Sequence, residues 1–121
     1  MLFTSPEKSK SEAIQKRIKA EVERAGVRVL HITAFGFKFD SAFWIGVQTD
    51  AQKERLSSDA DLQARLQAIF DATGYRKLIE DKWGDELRRT GMANLLEMGI
   101  VFESQQTVDR DFSGNWFHAM K

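Results

Sequence analysis

The chain has 121 residues, a length that fits one domain burying about two-thirds of the surface that its unfolded form would expose. It contains no cysteine, which excludes a disulfide scaffold, a thiolate nucleophile, an iron–sulfur cluster and cysteine-ligated zinc. Its 18 basic and 18 acidic side chains cancel, which argues against a dedicated nucleic-acid binder, because phosphate contacts need a surplus of positive charge.

The distribution of apolar residues predicts neither a membrane span nor a signal peptide. No apolar run approaches the roughly 18 residues that a membrane span needs. The segment Met1–Lys10 is too polar for a signal peptide. With 42% hydrophobic and 11% aromatic residues, the chain has the material for a packed core. We therefore expect a folded, cytoplasmic, single-domain protein that makes no membrane contact.

The first predicted element is a helix over residues 9–25, preceded by a loosely ordered extension over residues 1–8. Apolar residues recur at helical spacing within it. Two helix starts are open: Ser5 followed by Pro6, which suit an N-cap and a first helical position, and Ser9, which suits a capping box.

The next two segments predict an antiparallel hairpin. Residues 27–39 and 42–49 are rich in β-branched and aromatic side chains, which favour strands. Asp40 and Ser41 lie between them and suit a two-residue turn.

Apolar periodicity and turn residues divide the remainder into six segments. A weak helical start over 50–56 is followed by two helices, over 59–73 and 75–89. A strand over 95–104, a polar loop or strand extension over 105–115 and a short last strand over 116–120 complete the chain. The order α-β-β-α-α-β-β predicts an α+β fold, with an antiparallel sheet of about four strands packed against about three helices.

Laying the hairpin in register separates its two faces, because side chains alternate along a strand. The predicted turn places Phe35 opposite Gly46, where the ring would cover the gap that glycine leaves. One face is mostly aliphatic and suits the helices: Leu30, Ile32, Ala34, Gly36, Phe43, Ile45 and Val47. The other face mixes aromatic and polar groups: His31, Thr33, Phe35, Phe37, Trp44, Gly46 and Gln48.

The aromatic face is a candidate protein-binding surface, because contiguous exposed aromatic residues are unusual on a soluble monomer and enriched at interfaces. Carboxylates near its edge would complement a basic partner. The residues assigned to this surface are Phe35, Phe37, Trp44, Glu103, Asp109, Asp111 and Trp116. Two alternatives remain open: a helix covers this face as well, or a bulge at Gly36 exchanges the faces beyond it.

The functional hypothesis is a non-catalytic protein-binding module, most concretely an immunity protein that neutralises a toxin enzyme, such as a nuclease, by occluding its basic cleft. The chain has no nucleophile-elbow serine motif and no glycine-rich phosphate loop. We expect no metal and no cofactor, and either a monomer or a homodimer.

Two rival hypotheses involve other chemistry. A small hydrolase or nuclease would use His31 and His118 as acid and base, together with the loop over residues 109–115, where Asp109 and Asp111 are candidate metal ligands. The same loop residues also suit a plain structural turn. A single-strand RNA binder would stack bases on the aromatic face, although the net charge counts against it.

Overall fold

The computed structural model describes residues 5–36 and 38–116. Five α-helices and three strands form within these residues, together with a 3₁₀ helix at Ala93–Glu97. In chain order they are α1 (Pro6–Arg24), β1 (His31–Phe35), β2 (Ala42–Val47), α2 (Asp50–Ser58), α3 (Ala60–Ala72), α4 (Tyr75–Arg89), β3 (Gly99–Ser104) and α5 (Gln105–Phe112).

The strands of the described residues form one mixed sheet in the order β1-β2-β3. β1 pairs antiparallel with β2, whereas β3 pairs parallel with β2. The α+β class is confirmed, but the predicted antiparallel sheet of about four strands, with about three helices in the order α-β-β-α-α-β-β, is wrong. A crossover through α2, α3 and α4 returns the chain to the end of the sheet where β2 began, which makes β3 parallel. The predicted last strand, 116–120, lies outside the described residues apart from Trp116.

α1 begins at the earlier of the two predicted starts. The Ser5 hydroxyl accepts a hydrogen bond from the Lys8 amide at 3.1 Å, and Pro6 occupies the first turn, where its missing N–H costs nothing. Residues 6–8, expected in a loose extension, are therefore helical.

The connection between β1 and β2 is a loop rather than a two-residue turn. The Ser41 amide donates to the Phe35 carbonyl at 3.1 Å and closes the loop. Phe35 consequently pairs with Ala42 instead of Gly46, a shift of four positions from the predicted register. Because four is an even number, the paired residues of β1 and β2 keep their predicted faces.

The core lies between the inner face of the sheet and the helices. Phe43, Ile45 and Val47 of β2 are at most 1% exposed, and the Phe43 ring lies 5.3 Å from that of Phe70 on α3. The fully buried helical side chains that complete it are Ile14, Ile18, Val22, Leu62, Leu66, Ile79 and Leu87. The predicted helices over 59–73 and 75–89 are present, and Gly74 joins them at a φ of +75°, which favours glycine.

The structure differs most from the predicted elements in the segment after α4. Residues 95–104 are split between the 3₁₀ helix and β3, with Met98 at a φ of +56° between them. The polar residues expected in a loop form α5, where the Ser104 hydroxyl caps the helix by accepting from the Thr107 amide at 3.0 Å. Val108 is the only buried residue of α5, and its apolar side consists of Val108 and Phe112 alone, a pattern too short to distinguish a helix from a loop in the sequence.

Candidate functional site

The face of the sheet opposite the core, hereafter the outer face, keeps five of the seven residues predicted for it on β1 and β2. Phe37 lies outside the described residues, and Gln48 follows the end of β2. Pairing places on it His31, Thr33, Phe35, Ala42, Trp44, Gly46, Gly99, Val101 and Glu103. Its neighbours in sequence, such as Ile32, Ala34 and Ile100, pack against the core instead. The sheet therefore has one aliphatic face toward the helices and one mixed aromatic face away from them.

The centre of the outer face is apolar and partly open to solvent. Val101 is 38% exposed and is the one exposed large hydrophobic residue among those described. Trp44 pairs with it across the strands, is half-buried, and lies 6.2 Å from the Phe35 ring in a tilted arrangement. This half-buried cluster of Phe35, Trp44 and Val101 contains two of the predicted binding residues; a third, Phe37, lies outside the described residues.

The far end of the outer face is closed by His31 and Trp116, which pack over Gly46. The Trp116 indole meets the His31 ring edge-on, with centroids 4.1 Å apart and an interplanar angle of 82°. A Cβ atom on Gly46 would lie 2.7 Å from the His31 imidazole and 3.0 Å from Trp116. Trp116 Nε1 donates to the Gln105 side chain at 2.8 Å, which fixes the indole to α5. His31, rather than the predicted Phe35, covers Gly46 because of the four-residue shift in register.

The predicted carboxylates lie together at one corner, where β3 meets α5. Glu103 accepts from Lys53 at 3.0 Å and from the Ser104 amide at 2.9 Å. The exposed Asp109 accepts from Gln105 at 2.8 Å, and Asp111 forms an ion pair with Arg110 at 3.1 Å. These carboxylates have local partners, and Gln105 links Asp109 to the Trp116 indole.

Sequence reasoning missed a fourth carboxylate of this corner, Asp50 at the start of α2. It accepts hydrogen bonds from the hydroxyls of Ser104 and Thr107, the latter at 2.7 Å, and from Arg110 at 3.1 Å. The Ser104 bond first, then the Thr107 bond, lowers the pKa of Asp50 from its usual 3.8 to about 2. The residues concerned are more than 50 positions apart in the chain, so no local pattern could have revealed them.

We define the acidic corner as Asp50, Glu103, Asp109 and Asp111 together with Lys53 and Arg110. Four carboxylates against two cations give this corner a net charge of −2. It adjoins the outer face through Glu103, which pairs with Gly46 in the sheet.

The described residues contain only part of the rival catalytic arrangement, namely His31 and the 109–115 segment. Burial lowers the pKa of His31, and its ring packs against Trp116. His118 lies outside the described residues, and most of the 109–115 segment belongs to the end of α5. No group of three or more histidine, aspartate or glutamate side chains suited to a metal occurs in residues 5–36 and 38–116.

Within the described part of the chain, no helix combines the length and apolar character needed to cross a bilayer. Comparisons with protein-family models, with curated proteins and with solved structures give no match.

Proposed function

We propose that the protein is a non-catalytic binding module that docks a protein partner on its outer face. The observation that carries this proposal is the half-buried cluster of Phe35, Trp44 and Val101, which lies on the face of the sheet that does not pack on the core. Aromatic side chains with exposed apolar neighbours are the usual anchors at the centre of a protein interface.

The charge beside this cluster favours a basic partner. The acidic corner borders the outer face and carries a net charge of −2, whereas the whole chain is neutral. Complementary charge accelerates association and excludes wrong partners. We therefore propose, most concretely, an inhibitor of the immunity-protein type, which acts in the cytoplasm and neutralises a toxin enzyme by occluding its basic substrate cleft.

In this proposal the aromatic and the acidic residues have different roles in binding. The Trp44 and Phe35 rings fill apolar pockets of the partner, with Trp116 at the edge of the contact. Asp109 and Asp111 are exposed and steer the basic cleft toward the face. Glu103 has 14% of its side chain exposed and is paired with Lys53, so it contributes to the shape of the rim more than to steering.

The experiment begins with a tagged protein used to isolate its partner from the native host, followed by affinity measurements with that purified partner. Val101→Lys, at the centre of the outer face, is expected to weaken binding at least about a hundredfold, because it inserts an unpaired charge into an apolar contact. Ala68→Lys is the matched control, since Ala68 is an exposed residue on α3, an element of the core side.

A second pair of variants tests the charge argument. Reversal of Asp109 and Asp111 to lysine is expected to slow association far more than reversal of Glu80 and Asp81, which lie on α4 and are also hydrogen-bonded locally. The partner is expected to be an enzyme that loses activity on stoichiometric addition of this protein. Equal losses from both pairs of reversals would contradict the proposed surface.

Two other results would overturn the proposal. A dimer by light scattering that Val101→Lys converts to a monomer would show that the outer face binds a second copy of the chain. Salt-sensitive binding of a single-stranded oligonucleotide, lost in Trp44→Ala, would indicate base stacking instead.

A further inference from the structure

A second surface feature lies away from the cluster of Phe35, Trp44 and Val101, between α1 and β1. It is a groove of about 200 Å³ lined by Gln15, Lys16, Lys19, Val29, Leu30, His31 and Ile32. One wall is therefore a helix, and the other is formed by consecutive residues that lead into and begin β1.

β1 is an edge strand of the sheet within the described residues, because its only strand partner there is β2. An edge strand presents unpaired N–H and C=O groups along its free side. A helix beside such an edge, separated by a groove, leaves space for one further extended chain that completes the ladder.

The helical wall of the groove is positively charged. Lys16 and Lys19 are both exposed, and neither forms an ion pair or a side-chain hydrogen bond with any residue in the described ranges. The Glu23 carboxylate, one helical turn after Lys19, accepts from the Val29 amide at 3.5 Å and so faces the backbone at the start of the groove. Burial lowers the pKa of His31, so its imidazole adds no positive charge at neutral pH.

The size of the groove also limits its occupant. Pockets for drug-sized molecules commonly measure about 300–1,000 Å³. A groove of about 200 Å³ is smaller, a size that suits one or two side chains of an extended peptide.

We propose that this groove binds an extended acidic peptide segment of another protein by strand addition to β1, with its carboxylates held by Lys16 and Lys19. The backbone of the segment extends the sheet, and alternate acidic side chains point toward α1. This site lies beside β1, shares only His31 with the outer face, and does not depend on the function proposed above.

The test uses the full chain and a displayed library of random octapeptides as the probe. Selected peptides are expected to be enriched in Asp and Glu at alternate positions, the spacing at which side chains share one side of a strand. For a selected peptide, the double variant Lys16→Glu/Lys19→Glu is expected to weaken binding at least about tenfold. Arg17→Glu/Arg24→Glu is the matched control, because these residues carry the same charge on α1 but do not line the groove.

Strand addition is tested separately from charge. The same peptide is made in two forms, each methylated on one of the two alternate sets of backbone nitrogens, and the form methylated on the set that faces β1 is expected to lose binding. The unmodified peptide is expected to slow hydrogen exchange at amides within residues 29–35. Failure to enrich acidic peptides, equal losses from the two double variants, or undiminished binding of both methylated forms would each overturn the proposal. So would a dimer in which β1 pairs with β1 of a second copy and blocks the groove.

Discussion

The two faces of one sheet show how differently neighbouring residues can be used. Phe43 and Trp44 are adjacent on β2, yet Phe43 is fully buried against α3, whereas Trp44 is half-buried on the outer face. The alternation of side chains along a strand assigns one residue to the core and the next to the surface. The inner face therefore contributes most of the stability of the fold, whereas the outer face leaves its aromatic side chains partly exposed.

The substitution expected to lower the stability most lies on the inner face. Phe43→Ala is expected to lower the free energy of unfolding by about 3–5 kcal/mol, because it leaves a cavity beside Phe70. Trp44→Ala, one residue away, is expected to cost only roughly 1–2 kcal/mol, because its ring is already partly hydrated. Urea denaturation of both variants measures the difference. Equal costs would mean that the two faces are equally important to stability.

The next effect concerns the closed end of the outer face. Gly46→Ala is expected to destabilise the protein by about 1–3 kcal/mol, since the added Cβ meets His31 at 2.7 Å and Trp116 at 3.0 Å. Gly99→Ala on β3 is the control, because a Cβ there meets nothing within 4 Å. Urea midpoints compare the two variants, and a harmless Gly46→Ala would show that the stack of His31 and Trp116 adapts easily.

A smaller and more local effect is the pH dependence of stability at the acidic corner. Folding lowers the pKa of Asp50 to about 2, so its contribution is complete above about pH 4 and disappears as the pH falls from about 4 to about 2. After correction for the intrinsic effect of pH on amide exchange, the protection of α5 amides is expected to fall several-fold as the pH drops across that interval. Asp50→Asn should remove most of this pH dependence, whereas Asp61→Asn on α3 should preserve it. An unchanged profile in Asp50→Asn would contradict the assignment.

The smallest effect on stability is expected at the centre of the outer face. Val101→Lys should change the free energy of unfolding by no more than about 0.5 kcal/mol, because Val101 is 38% exposed and lysine keeps its charge in water. Thermal unfolding with matched Ala68→Lys measures this. A large loss of stability would show that Val101 is structural, and its effect on binding would then say nothing about recognition.

Much of the local structure was predictable because its determinants lie close together in the chain. α4 spans the predicted 75–89, and α3 lies within the predicted 59–73. The division of β1 and β2 into faces also followed from alternation, and it was preserved even though the hairpin register was wrong.

The elements that were predicted wrongly depend on contacts that residue types and local spacing do not reveal. The loop from Gly36 to Ser41 closes through a backbone contact to Phe35, and residue types alone favoured a tighter turn. α5 buries only Val108, so its polar sequence resembled a loop. Its position depends on Ser104 and Asp50, which become neighbours only when β3 lies beside β2.

The helices α1, α3 and α4, the strands β1 and β2, and the two unlike faces of β2 were thus determined by the sequence, because capping groups and apolar periodicity act over a few residues. The parallel direction of β3, the stacking of His31 and Trp116 over Gly46, and the acidic corner were decided only by the tertiary structure. Each of these depends on groups brought together from distant parts of the chain, and their contact energy arises only after the crossover has placed β3 beside β2.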